Sequence, residues 1–151
     1  MSTHEHGPVE LDREGRAAFL GNGGTGVLSF DTPGDQAPHS VPISYGFDET
    51  DETFYFRLSV GPDREKTPYV ESAVSFVVYD RDEGDRWRSV LARGHLEAID
   101  EAVGTEALAG LGHSHIPMFD VFTGPTETVT FEFYRLVPDE LTGYVESVVR
   151  E

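Results

Sequence analysis

The sequence predicts a mainly β protein, an antiparallel β-barrel with flanking helices. Three observations carry this. Segments alternating apolar and polar residues at period two recur along the chain. Short connections rich in Gly, Pro, Asp and Glu separate most of them. Strands and helices do not alternate regularly, which argues against a parallel α/β sheet.

In chain order, residues 1–10 read as a loose start. Residues 11–20 predict a short helix, with Leu11, Ala18 and Phe19 on one stripe and a Gly21-Asn22-Gly23-Gly24 stop. Residues 26–30 read as a strand, and 31–36 as a turn carrying Pro33-Gly34. Strict alternation marks 38–47: His39, Val41, Ile43, Tyr45 and Phe47 on one face, Ser40, Pro42, Ser44 and Gly46 on the other. The acidic stretch 48–52 is a hairpin connection. Residues 53–60 form the next strand, with Phe54, Phe56, Leu58 and Val60 opposed to Tyr55, Arg57 and Ser59. After Gly61-Pro62, residues 63–71 suit a helix-like segment limited by Pro68. Strands follow at 72–79 and 86–99 around a charged turn at 80–85, and Gly94 marks a bend or bulge in the second. A short helix capped by Asp100 is expected over 100–111, an irregular loop over 112–125, a strong strand over 126–137, and a short edge strand over 141–148. No internal repeat or linker divides the chain, so one domain over 1–151 is expected.

Composition narrows the function. There are 28 Asp+Glu against 11 Lys+Arg, a formal net charge of -17, and no Cys. A surface this acidic repels phosphate backbones and anionic lipids, so neither nucleic acid nor membrane is an expected partner. Disulfide frameworks and thiolate metal sites are excluded. No apolar run approaches the roughly 20 residues of a membrane span, and residues 1–10 lack a signal-peptide core, so a cytoplasmic location is expected. Ten of the eleven cations are Arg, and Lys66 is the single Lys. Scarce Lys with excess acid resembles proteins of salt-loving archaea, in which high salt screens self-repulsion.

The charges are unevenly spread. Between Arg57 and Arg93 lie seven basic and seven acidic residues, and the rest of the chain holds four bases against 21 acids. The neutral window is either locally salt-bridged or built around an anion. Arg57 and Ser59 share a strand face, and Arg64, Lys66 and Thr67 follow a turn later. Forked Arg donors, a Lys point charge, hydroxyls and helix N-terminal amides are what a phosphate needs. The small face Ser40, Pro42, Ser44 and Gly46 would let a flat ligand approach the backbone. Trp87, the only Trp, lies between Arg86 and Arg88 and could stack on a ring. His113-Ser114-His115 has a metal-like spacing but no indicated third ligand, so no metal is expected. No dinucleotide fingerprint, P-loop or hydrolase triad is present.

Taken in order, these pieces resemble the pyridoxamine 5′-phosphate oxidase-like FMN-binding split-barrel family. The resemblance runs from about Gly21 to Gly143, through Pro38-His39-Ser40-Val41-Pro42-Ile43-Ser44-Tyr45, Phe54 to Ser59, Arg64 to Lys66, and Trp87 to Gly94. It implies a six-stranded Greek-key split barrel that forms a homodimer, with FMN in clefts at the subunit interface. Arg57, Ser59, Arg64 and Lys66, assisted by Thr67, would hold the FMN phosphate. Val41, Pro42, Ile43 and Ser44 would lie along the flavin ring. Trp87, Arg88 and Ser89 would reach a flavin across the interface, Arg88 stabilising its reduced anionic form. The implied activity is FMN-dependent oxidoreduction of an unidentified small molecule, with a reductant such as NAD(P)H. Residues 141–151 contain one Arg and no Trp, unlike the substrate-binding end of vitamin B6 oxidases, so B6 oxidation is not expected. The alternative is a non-enzymatic protein that stores or senses flavin, deazaflavin or haem on the same barrel. His39, His95, His113 and His115 would then be the candidate haem ligands.

Overall fold

The computed structural model describes residues 8–60, 73–99 and 130–147, the side chains of 59, 60 and 130–132 apart. In chain order they form β1 (Val9–Glu10), α1 (Arg13–Leu20), β2 (Gly23–Phe30), β3 (His39–Asp48), β4 (Thr53–Val60), β5 (Ala73–Arg81), β6 (Arg86–Ile99) and β7 (Thr130–Ser147). All pairings are antiparallel. Strand order is β1-β7-β4-β3-β2-β5-β6, and β7 also pairs β6, so six strands close into a barrel. Strands β2, β3 and β4 form a meander, and β5 returns to lie beside β2, which is the Greek-key order.

Alternation puts Ile43, Tyr45 and Phe47 of β3, and Phe54, Phe56 and Leu58 of β4, inside the barrel with Leu28, Phe76, Val90, Leu96, Tyr134 and Leu136. Phe76 is the hub of the core: its ring meets Phe56 at 4.8 Å and Tyr45 and Phe54 at 5.4 Å, all edge-on. The Tyr45 hydroxyl donates to the Leu20 carbonyl at 2.9 Å, tying the barrel interior to the end of α1. Burial raises the Tyr45 pKa well above its ordinary value of 10.0. The unfolded chain therefore ionises this phenol at a lower pH than the folded one, so its contribution to stability is lost as pH rises past about 10. Tyr45→Phe should cost about 1 kcal/mol near neutrality. It should also lose less stability than the parent between about pH 10 and about pH 12 in unfolding titrations. Parallel alkaline losses in both proteins would contradict this.

Several elements differ from the sequence expectation. The helix starts at Arg13, because the Asp12 side chain caps it by accepting from the Gly15 N–H at 2.7 Å. Gly21, at φ 61°, ends it as expected. Strand β2 begins at Gly23, earlier than expected. A Cβ at Gly26 would sit 2.5 Å from both Phe76 Cζ and the Val77 carbonyl oxygen, so glycine there serves close packing rather than a turn. The two strands expected at 126–137 and 141–148 are one, β7. The register shifts opposite Arg93 and Gly94, where Asp139 is the extra residue of a bulge in β7, next to the glycine expected to mark one. Residues 9 and 10 of the expected loose start pair with β7. The helices expected at 63–71 and 100–111, and His113 and His115, lie outside the described residues. No helix among the described residues is long and apolar enough to cross a membrane.

Two gaps interrupt the barrel wall. Strand β7 leaves β4 after Leu136 and meets β1 only at Tyr144 and Val145. Helix α1 covers this gap. The Leu11 N–H donates to the Gly143 carbonyl at 2.7 Å, and Arg13 donates to the carbonyls of Glu49 and Thr50 in the β3–β4 turn. Arg16 pairs with Glu52 at 3.1 Å, with both side chains largely buried. The second gap is at the opposite end, between β3 and β4.

Candidate functional site

The β3–β4 ladder has four rungs, from Asp48↔Thr53 to Tyr45↔Phe56. Beyond it, β3 runs back to His39 along β2, while β4 continues to Val60 along β7. Residues 39–44 and 57–60 therefore face each other across a seam without ladder pairing. Pro42 contributes by lacking an N–H. Every second residue of a strand directs its N–H and C=O to the same side, so the seam presents backbone donors and acceptors to a ligand edge.

The predicted ring-binding stretch Val41, Pro42, Ile43 and Ser44 lies on this seam. Ile43 points into the core, and Pro42 and Ser44 point outward. Arg57 is exposed on the opposite lip, on the outer face of β4, and extending the ladder by one rung sets it opposite Ser44. Ser59 lies two residues on, opposite Phe131. Arg64, Lys66 and Thr67, the rest of the expected phosphate cradle, lie outside the described residues.

Trp87 and Ser89 lie on the outer face of β6, with Ser89 between Tyr79 of β5 and Tyr144 of β7. Trp87 is 42% exposed, and the Arg81 guanidinium sits 5.8 Å from its ring centroid. Strand β6 is three strand spacings from β3 and two from β4, and Trp87 and Ser89 face Glu146 and Tyr144 of β7, far along that strand from the Thr130–Phe133 stretch beside residues 57–60. Within one subunit these residues do not meet the seam. Arg88 is on the other face of β6. Its guanidinium lies over Phe19 at 5.0 Å and bonds the Asp80 carboxylate at 3.3 Å. The cation expected at the flavin edge is thus engaged at the α1 end of the barrel.

Ion pairs explain part of the neutral window. Arg81 pairs with Asp85, Arg86 with Asp82 at 2.8 Å, and Arg88 with Asp80. The Asp82 carboxyl is held below its usual range, first by the Arg86 backbone N–H, then by the Gly84 N–H and the Arg86 side chain. Local bonding thus accounts for the hairpin cations.

One element of the site had no signal in the sequence. Thr25 of β2 is the ladder partner of Ser44. The side-chain oxygens of both are buried and have no hydrogen-bond partner among the described residues. Unpaired buried hydroxyls beside a seam and a cation fit the polar edge of a ligand. A separate open groove of ≈ 380 Å³ lies near the bulge, lined by Ser29, Ser75, Arg93, His95 and Asp139 among others. His95 faces Asp139 at 3.8 Å, and His39 stacks on Phe30. Among the described residues no cluster of three or more His, Asp or Glu could hold a metal.

A closed Greek-key barrel parted along one seam defines the split-barrel class. The chain belongs to the pyridoxamine 5′-phosphate oxidase family, whose model matches residues 12–145. Among solved structures, the FAD-binding protein from Mycobacterium smegmatis is similar at 21% identity and TM-score 0.64, covering 93% of this chain and 99% of that one. A FAD-binding protein from Mesorhizobium loti gives the same values. The FAD and haem binding protein from Mycobacterium smegmatis is 14% identical with TM-score 0.64, covering 93% of this chain and 74% of that one. No curated protein matches the sequence significantly.

Proposed function

We propose that the protein is an FMN-dependent oxidoreductase, working as a homodimer on an unidentified small molecule, with a reductant such as NAD(P)H. The observation that carries this reading is the seam. It combines an unladdered backbone edge at Val41 to Ser44, the Arg57 cation on the facing lip, and two orphaned hydroxyls. The family membership agrees with it. Arg57, Arg64 and Lys66, with Ser59 and Thr67, would hold the phosphate by charge-assisted bonds. The small outer face of β3 would admit the ring. When bound, the flavin supplies hydride or single-electron transfer. The chain binds it, orients it and limits solvent access. Trp87 and Ser89 lie too far around the wall to serve their own subunit's seam, which supports a two-subunit site. The cytoplasm is the expected compartment.

Absorption spectroscopy of the purified protein tests this. A flavin spectrum near one per subunit, bleached by NAD(P)H, is expected. A colourless protein that takes up no added FMN would sink the proposal. A second reading, flavin binding without turnover, draws support from neighbours described as FAD-binding proteins. A bound flavin that no reductant bleaches would favour it. Cofactor extraction with mass analysis separates FMN from deazaflavin and haem.

The acidic coat belongs to the same proposal as an adaptation to salt. With a net charge of -17, self-repulsion weakens the fold in dilute buffer. The melting temperature should climb steadily from about 0.1 M to about 2 M KCl, as the Debye length falls toward ~3 Å. A flat or falling profile would contradict a halophilic origin for the coat.

A further inference from the structure

We propose that Thr25 and Ser44 form a two-hydroxyl station on the outer wall, which hydrogen-bonds the polar edge of the planar ring seated at the seam. The inference rests on the flavin reading above and adds to it a residue, Thr25, from a strand outside the seam.

The two residues are directly opposed in the β2–β3 ladder, so their side chains leave the same face. Ser44 is the first residue of β3 beyond its last rung with β4, and so borders the seam. Both oxygens are buried and neither has a partner among the described residues. A buried hydroxyl left unbonded is destabilising, and folded proteins rarely keep two side by side.

The same ladder supplies an internal control. Ser29 and Ser40, four residues along on the same face, are also opposed hydroxyls. Their oxygens bond each other at 2.7 Å. A hydroxyl pair across this ladder can satisfy itself, and the pair beside the seam does not. What distinguishes Thr25 and Ser44 is their position, next to the unladdered edge and to Arg57.

The chemistry defines the ligand class. A hydroxyl can donate to a ring nitrogen or carbonyl and can also accept from a ring N–H. Two of them at one rung suit a planar heteroaromatic edge in which donors and acceptors alternate, as in a pteridine or isoalloxazine. Thr25 is β-branched and stiff at χ1, so its hydroxyl is held ready instead of being ordered on binding.

Titration with FMN, followed by flavin fluorescence and visible absorption, tests the assignment. Thr25→Val and Ser44→Ala should each weaken FMN binding about tenfold and shift the visible bands of the bound flavin. Ser29→Ala should do neither. In the flavin-free protein, Thr25→Val should melt at or above the parent temperature, because it removes an unpaired hydroxyl while keeping the side-chain volume. A hydroxyl with a merely structural role would lower that temperature. Unchanged affinity and bands in both seam variants, or a destabilised flavin-free Thr25→Val, overturns the station. A parent protein that takes up no FMN overturns the flavin reading itself, together with this inference. The two failures are therefore distinct.

Discussion

Replacing Arg57 and Lys66 together by alanine should give a folded protein that no longer retains flavin. Arg57 lies exposed on the lip of the seam, outside the core, so its loss leaves the aromatic interior intact. Hydrogen bonds to a charged group contribute about 1.5–3 kcal/mol each, and two such losses weaken binding by roughly 10²–10⁴-fold. The expected outcome is a colourless preparation with parental circular dichroism and a greatly raised dissociation constant for FMN. Arg93→Ala is the matched control, since that guanidinium pairs at 3.7 Å with Glu140 in an exposed setting and should change little. A yellow double variant of parental affinity would remove the phosphate site from this side of the barrel. Arg57→Lys should recover only part of the binding, because an ammonium cannot reproduce the two-pronged contact of a guanidinium.

Phe76→Ala should produce the largest loss of stability of any single substitution considered. Its fully buried ring touches Tyr45, Phe54 and Phe56, so β3 and β4 both lose the packing partner that β5 supplies. The expected cost is about 3–5 kcal/mol, a large share of the roughly 5–15 kcal/mol typical of a whole domain. Chemical unfolding at fixed high salt measures it. Tyr79→Ala, three residues along the same strand but 61% exposed, should stay within about 0.5 kcal/mol of the parent. Equal effects at the two positions would mean that the barrel interior is not organised around Phe76.

The contrast between those residues indicates what a sequence can disclose. Strands β3 and β4 alternate cleanly because one face meets the aromatic core and the other does not, so residue type alone assigns their faces. Gly23 and Gly24 are the opposite case. They read as a helix stop and are the start of β2. A Cβ at Gly24 would lie 3.2 Å from the Tyr45 hydroxyl, a contact across strands that local propensity cannot register. Residues 138–140 likewise separate two expected strands, and only their pairing with Arg93 and Gly94 on the neighbouring strand shows that one strand continues through them by a bulge. Arg57 and Ser44 are readable as site candidates from type and spacing. Thr25 is not, because a single hydroxyl in a glycine run has no pattern of its own. Its meaning comes from the partner across the ladder. Arg88 is a different case: adjacency groups it with Trp87 and Ser89, and strand alternation turns it to the other face.

Strand β7 pairs with β4 along its first half, with β6 along most of its length and with β1 near its end. It is also the last described strand to leave the ribosome. Until it arrives, β4 and β6 have open edges and the barrel cannot close. Assembly therefore waits on contacts between distant parts of the chain, which makes folding slow and leaves strand edges exposed meanwhile. During that interval, a chain with 28 carboxylates repels its neighbours. The acidic coat thus protects the nascent protein from edge-to-edge aggregation before there is a surface for it to cover.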